Sequence, residues 1–203
     1  GPGCVSLDLA AAPTTRPIDV IVWVDDGGSF AGARGKVAAS IGMNLAAILD
    51  AASVDYQVIL LSSATSIPDP LGSSPRFFHA PGGYSAGSGG YVFFSNATYL
   101  ANYVDHLRPD AFKVFLSATD CEAESGTFEA FETDITTAEP TQFTGGDHRN
   151  FVYNMIGNIA VHTPSTDPWM PSEALAGRGG YGGHFTSCAN SQRGAIASGG
   201  LRL

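Results

Sequence analysis

The run from Pro17 to Phe30, P-I-D-V-I-V-W-V-D-D-G-G-S-F, constrains the fold more than any other stretch of the chain. Ile18, Val20, Ile21, Val22, Trp23 and Val24 make a nearly continuous apolar segment rich in β-branched side chains. A segment that short and that apolar predicts a strand covered on both faces, as in a parallel sheet. It ends abruptly in two carboxylates, two glycines and a serine. Glycine lets the backbone turn sharply and brings main-chain N–H groups close to whatever sits there. Open α/β sheets hold their ligands outside the carboxyl ends of their strands. Asp25 and Ser29 are therefore the first candidates for a site. The plainer alternative is that Asp25 and Asp26 cap a strand and start a helix.

The rest of the chain alternates in the same style. Ala33 to Ala52 carries Val37, Ile41, Leu45, Ile48 and Leu49 at three- and four-residue spacing, which predicts a helix with one apolar stripe. Gly35 and Gly42 weaken it, and close packing against a neighbour would account for them. Asp55 to Leu61 and Arg76 to His79 read as the second and third strands. Ala80 to Ser95 is glycine-rich and reads as a loop with exposed aromatic residues, its Tyr91 to Phe94 being β-prone. Asn96 to Leu107 predicts a helix capped by Ser95 or Asn96, and Phe112 to Ala118 a fourth strand ending in Thr119-Asp120. A helix within Glu122 to Ala138, a strand over Asn150 to Ile156 and a short helix from Ala189 complete the pattern. A second strand end bearing a carboxylate places Asp120 beside Asp25 if the two strands are neighbours.

Composition narrows the class of partner. The chain has 203 residues, enough for one α/β domain, and ten Lys and Arg stand against nineteen Asp and Glu. The resulting charge of −9 opposes binding to nucleic acid. No apolar run is long enough for a transmembrane helix. Few charged residues and many Gly, Ser and Thr suit an exported protein. Cys4, Cys121 and Cys188 allow one internal disulfide and leave one cysteine over, and their spacing fits no zinc or redox motif.

The first strand and its loop resemble the von Willebrand factor A (vWA) family, in which a D-x-S-x-S loop chelates a divalent cation. Here Asp25 and Ser29 match, while Gly27 stands where the family has a serine. V-D-Y-Q-V-I-L-L-S and R-F-F-H look like a bacterial branch, and L-R-P-D-A-F-K-V-F-L-S-A-T-D is the most specific match. The resemblance covers Pro17 to the end. It implies a vWA-like, Rossmann-like fold: a central, mostly parallel sheet with helices on both faces, over residues 17–203, preceded by an extension or linker at 1–16. It further implies a metal-ion-dependent adhesion site held by Asp25, Ser29 and Asp120, with Ser85 or Ser88 in the place of a donated threonine. Hard oxygen ligands favour magnesium or calcium over zinc, and the lost hydroxyl at Gly27 predicts weak or absent binding. The implied function is non-catalytic binding of a protein or surface, secreted or at the cell surface. Related proteins are often lipoproteins, and Cys4 before a Pro/Thr/Ala segment resembles their anchor; a structural disulfide is the plainer use of Cys4.

Two further readings compete. Residues after the phrase G-G-L-R, which opens a closing strand in relatives, are few, so a structural subunit that self-assembles through a sheet edge is one alternative. The extended segment Cys4 to Arg16 is its candidate donor strand. G-Y-S-A-G fits the G-x-S-x-G pattern of a hydrolase nucleophile elbow at Ser85, but that elbow demands a strand immediately before the serine and a helix immediately after. The flanking Pro81-Gly82-Gly83 and Gly89-Gly90 argue against it, so the expectation is no enzyme. Scattered histidines, including the pair His184 and Cys188, give no convergent zinc set. Asn96-Ala97-Thr98 has the form of a glycosylation sequon.

Overall fold

The computed structural model describes residues 16–63, 75–82, 89–121, 125–146, 148–180 and 188–203. Its centre is the apolar run: β1 (Ile18–Val24) is buried from Asp19 onward. After one 3-10 turn (Gly28–Phe30) the chain forms α1 (Ala31–Ser40), a π-helical turn (Ile41–Leu45) and α2 (Ala46–Ala51). β2 (Tyr56–Ser62) and β3 (Phe77–Pro81) follow, then α3 (Gly89–Ser95), α4 (Ala97–Leu100) and a 3-10 turn (Val104–His106). β4 (Phe112–Thr119), α5 (Phe128–Ala138) and α6 (Pro140–Phe143) lead to a small hairpin, β5 (Thr144–Gly145) with β6 (His148–Arg149). β7 (Phe151–Gly157) and α7 (Ala189–Ser198) close the order.

Five strands form one sheet in the order β3-β2-β1-β4-β7, and every pairing in it is parallel. This is the Rossmann-like α/β arrangement expected. The chain moves outward from β1 through β2 to β3, then returns across β1 to β4. That reversal makes the carboxyl ends of β1 and β4 the switch point of the sheet, where such folds open a crevice. One face packs on α1 and α2 through Val20, Val22, Val58 and Leu60. The other buries an aromatic cluster beneath α3, α5 and α7. There Phe115 of β4 lies 4.9 Å from Phe94 and 5.3 Å from Phe131, ring centre to ring centre.

Several local expectations need correction. Gly89 to Ser95 is a helix, and Tyr91, Phe93 and Phe94 are buried, not exposed on a loop. Burial of three aromatic rings in the core outweighs the weak helix propensity of Gly89-Gly90. Gly90 itself fits because a side chain there would press on Ser117 and the Tyr153 hydroxyl. The helix expected over Asn96 to Leu107 breaks at Tyr103 (φ −129°), whose hydroxyl donates to the Phe94 carbonyl at 2.6 Å. Asn96 does cap it, accepting from the Thr98 N–H. α5 starts at Phe128, after Gly126 at φ +81° and the Thr127 cap. Gly35 meets no neighbour, so packing does not explain it.

The last residues also find a place. Met155 N–H donates to the Leu201 carbonyl, Leu203 N–H to Met155 and Gly157 N–H to Leu203, so the chain end runs along the outer edge of β7. On its far side Arg202 exchanges two backbone bonds with Trp169. The Arg202 guanidinium is buried and donates to the carbonyls of Ala174, Met170 and Glu173. That edge is covered from within the chain over this stretch.

Candidate functional site

The site is built from the last residues of β1 and β4. Their register sets Val24 opposite Ala118, and the Asp25 N–H continues the ladder to the Ala118 carbonyl at 2.9 Å. Asp25 and Asp120 are then carried to neighbouring strand ends, and they are 5% and 4% exposed. Asp25 Oδ1 accepts from the Gly27 N–H at 2.8 Å, a side-chain turn that starts the loop. Its Oδ2 accepts from the Thr119 hydroxyl at 2.6 Å, and Thr119 Oγ1 in turn accepts from the Cys121 N–H at 2.9 Å. Burial raises the Asp25 carboxyl above its ordinary value; the Thr119 and Gly27 hydrogen bonds oppose this, and the charges of Asp120 and Asp26 add to it.

Around this pair the loop supplies more oxygen. Ser29 sits partly buried in the turn after Gly28, and Asp26 has a buried Oδ1 with no hydrogen-bond partner among the described residues. Arg34 reaches back from α1 to the Asp26 carbonyl at 2.6 Å and the Gly27 carbonyl at 3.3 Å, pinning the loop to the helix. Beside Asp120 opens a cleft of about 380 Å³ between α1 and the ends of β4 and β7. Phe30, Ala33, Val37, Ile156 and Ile159 give it an apolar wall, and Thr119, Asp120, Lys36 and Asn158 give it polar points.

A disulfide holds the floor of this region. Cys121 pairs with Cys188, tying the residue after Asp120 to the start of α7. Both cysteines are buried and both adopt positive φ, 62° and 52°. The cysteine count left this pairing open. With it formed, Cys4 has no internal cysteine partner.

Asp25, Ser29 and Asp120 thus share one end of the sheet, as placed from the sequence. Ser85, and with it the elbow reading, lies outside the described residues, as do Ser88 and His184. Thr119 was read only as the end of a strand, yet its hydroxyl donates to Asp25 and accepts from the Cys121 N–H; the T-D pair at the strand end was the available signal. Among the described residues no group of three His, Cys, Asp or Glu side chains converges to hold a metal. The oxygen donors nevertheless suit a hard cation. Positive charge would relieve the two buried carboxylates, of which Asp25 has a raised proton affinity, and Ser29 and Thr119 add hydroxyl oxygens at the same end of the sheet. No family model matches the chain, and no curated protein or solved structure matches it.

Proposed function

We propose that the chain is a non-catalytic binding domain of the vWA kind, working outside the cytoplasm and engaging a protein or surface partner at the carboxyl end of its sheet. The observation that carries this reading is the pair Asp25 and Asp120, two almost fully buried carboxylates at the switch point beside an open cleft. Burying two like charges together is costly for stability, so such a pair is a mark of function. Asp25, Ser29 and Asp120 would hold magnesium or calcium there weakly, and the cation would supply an open position for a carboxylate of the partner. A buried disulfide fits an oxidising compartment. Anchorage by a lipid on Cys4 belongs to the same reading. Among the described residues no helix is long and apolar enough to cross a membrane.

One observation favours a second reading, a structural, self-assembling subunit with a metal-free site. Both oxygens of Asp25 already accept a hydrogen bond, and Gly27 offers no hydroxyl. Calorimetry with magnesium, manganese and calcium separates the two. The expected result is weak uptake at one site, lost in Asp25→Ala. No uptake by the wild type selects the metal-free subunit, and tight uptake that survives Asp25→Ala removes the site assignment. A fluorophosphonate probe should leave Ser85 unlabelled; labelling abolished by Ser85→Ala would make the chain an enzyme.

A further inference from the structure

Val37, Ile41 and Leu45 recur every four residues along the helix that runs from α1 through the π-helical turn to α2. In an α-helix of about 3.6 residues per turn that spacing drifts by about 40° at each step. The wider π turn at Ile41–Leu45 takes up the drift, and π turns are frequent at functional sites. All three side chains, with Ile48, Leu116 of β4 and Ile156 of β7, line one groove of about 420 Å³. Phe115, Tyr153 and Met155, on the core face of the same two strands, are fully buried, whereas Leu116 and Ile156 are only half-buried. Ile48 is 65% exposed. Parallel strands ordinarily have both faces covered, and this one meets water among the described residues.

Charge and shape together point to an occupant. The chain has two lysines: Lys113 is fully buried, and Lys36 is exposed on the rim of this groove. Lys36 makes no ion pair or hydrogen bond among the described residues, in a chain of charge −9. Ser40, one turn further along the helix, adds a hydroxyl to the same rim. Every other lining side chain is apolar. From Lys36 to Ile48 the helix advances about 18 Å. Spread over that length, the groove has a mean section of about 23 Å², against about 80 Å² for an α-helix about 10 Å across. Its walls are a helix and a strand, β4, paired on both sides, so their backbone groups are already spent. An extended peptide laid there would leave its own N–H and C=O groups unanswered.

We propose that this groove binds a fatty acid, its carboxylate on Lys36 and its single hydrocarbon chain along Val37, Ile41, Leu45 and Ile48. A hydrocarbon chain is narrow, brings no backbone polar groups and gains by leaving water against an apolar wall. The direction of the chain follows from charge. Lys36, Val37 and Ile156 also line the cleft beside Asp120, so the two hollows meet at Lys36. The Asp120 carboxylate repels an anion on that side, so the head stops at Lys36 and the tail runs the other way, toward Ile48. This does not depend on cation binding at Asp25, and it is a different occupant from a partner held at the end of the sheet.

The test uses the full chain with monomeric dodecanoate, read by calorimetry and by amide signals. Dodecanoate should bind at one site and shift the signals of Val37, Leu45, Leu116 and Ile156. Hexanoate should bind many-fold more weakly, because it buries less hydrocarbon. Dodecyltrimethylammonium, with the same tail and the opposite charge, should bind several-fold more weakly than dodecanoate, and Lys36→Glu should reverse that order. Ile48→Asp should lower uptake of both amphiphiles several-fold. Lys36 and Ile48 are exposed, so neither substitution disturbs the core. No uptake overturns the proposal, and so does uptake that leaves those signals unmoved or ignores the charge of the head. Binding to anionic phospholipid vesicles without uptake of dodecanoate also overturns it and makes this face a membrane contact. Self-association that shifts the same signals, again without uptake, overturns it and assigns the groove to a second copy.

Discussion

The two ends of β1 and β4 bury charge in opposite ways. At the amino end Asp19 of β1 stands in register with Lys113 of β4, and both are fully buried. Asp19 accepts from the Arg108 N–H and Nε, each at 2.8 Å, and lies 3.5 Å from Lys113 Nζ. Lys113 donates in addition to the carbonyls of Arg108 and Ala111. At the carboxyl end, about 20 Å away along the same strand, Asp25 faces the like charge of Asp120. Its hydrogen bonds come from neutral donors, and no ion pair reaches it among the described residues. One end resembles a solved electrostatic problem; the other keeps its problem open. The difference teaches that burial of charge serves the scaffold where partners are complete and serves a site where they are not.

The sharpest way to break that contrast is to spoil the complete end. Asp19→Ala leaves Lys113 and Arg108 without their buried carboxylate. Removing one member of a buried pair costs about 3–5 kcal/mol, because the remaining charge is stranded. Urea denaturation should show a loss of that size. A loss below about 1 kcal/mol, the range of exposed ion pairs, would show that the amino end is no anchor.

Next in size is the covalent tie beneath the site. The Cys121–Cys188 bridge spans 67 residues, and closing a loop of that order stabilises a domain by roughly 2–4 kcal/mol. A Cys121→Ser, Cys188→Ser double variant should lose stability on that scale. The Cys121 N–H holds the Thr119 hydroxyl, which holds Asp25, so the same variant should also weaken any cation uptake. Stability lost with uptake intact would separate the disulfide from the site.

A smaller effect of opposite sign is expected at Asp25. Its folded carboxyl binds a proton more tightly than the unfolded chain does, chiefly through burial. Below the unfolded carboxylate range both states are protonated and the site carries no penalty. As pH rises through the folded value the carboxylate must charge in place, and stability falls. Asp25→Asn should therefore be the more stable protein at pH 7, by on the order of 1 kcal/mol. The gap should close below pH of about 4. Millimolar magnesium should raise the Tm of the wild type and leave Asp25→Asn unmoved. A variant that is less stable at pH 7 would mean that Asp25 is a structural acid like Asp19.

This asymmetry was only half legible in the sequence. The apolar runs of β1, β2 and β4 announce buried parallel strands, and Asp25 and Asp120 at their ends could be placed by topology alone. The Asp19–Lys113–Arg108 network could not, since its members are far apart in sequence and each reads singly as a surface charge. Gly89-Gly90 hid α3, because local propensity says nothing of the aromatic core that Tyr91, Phe93 and Phe94 enter. Thr119 was passed over for a similar reason: a hydroxyl at a strand end signals nothing until the partner strand is known. Pairing of Cys121 with Cys188 needed the approach of α7 to the end of β4, which no spacing encodes.

The smallest expected effect lies in α1, the helix that leaves the site loop and flanks the cleft. Gly35 is exposed in its second turn, and a methyl group there would meet nothing within 4 Å. Glycine in a helix interior is less favourable than alanine by about 0.5–1 kcal/mol, mostly through the freedom it keeps in the unfolded chain. Gly35→Ala should therefore stabilise the protein by about that amount, seen as a rise in Tm. If α1 needs that looseness to adjust Arg34 and the Asp26–Gly27 carbonyls around a ligand, magnesium uptake should weaken as stability rises. If uptake is unchanged, the slack belongs to the helix alone and the open end of the sheet consists of its acids and their loop. A loss of stability would instead mean that the glycine answers to a contact at the cleft, and the contrast between the two ends would have to be redrawn around α1.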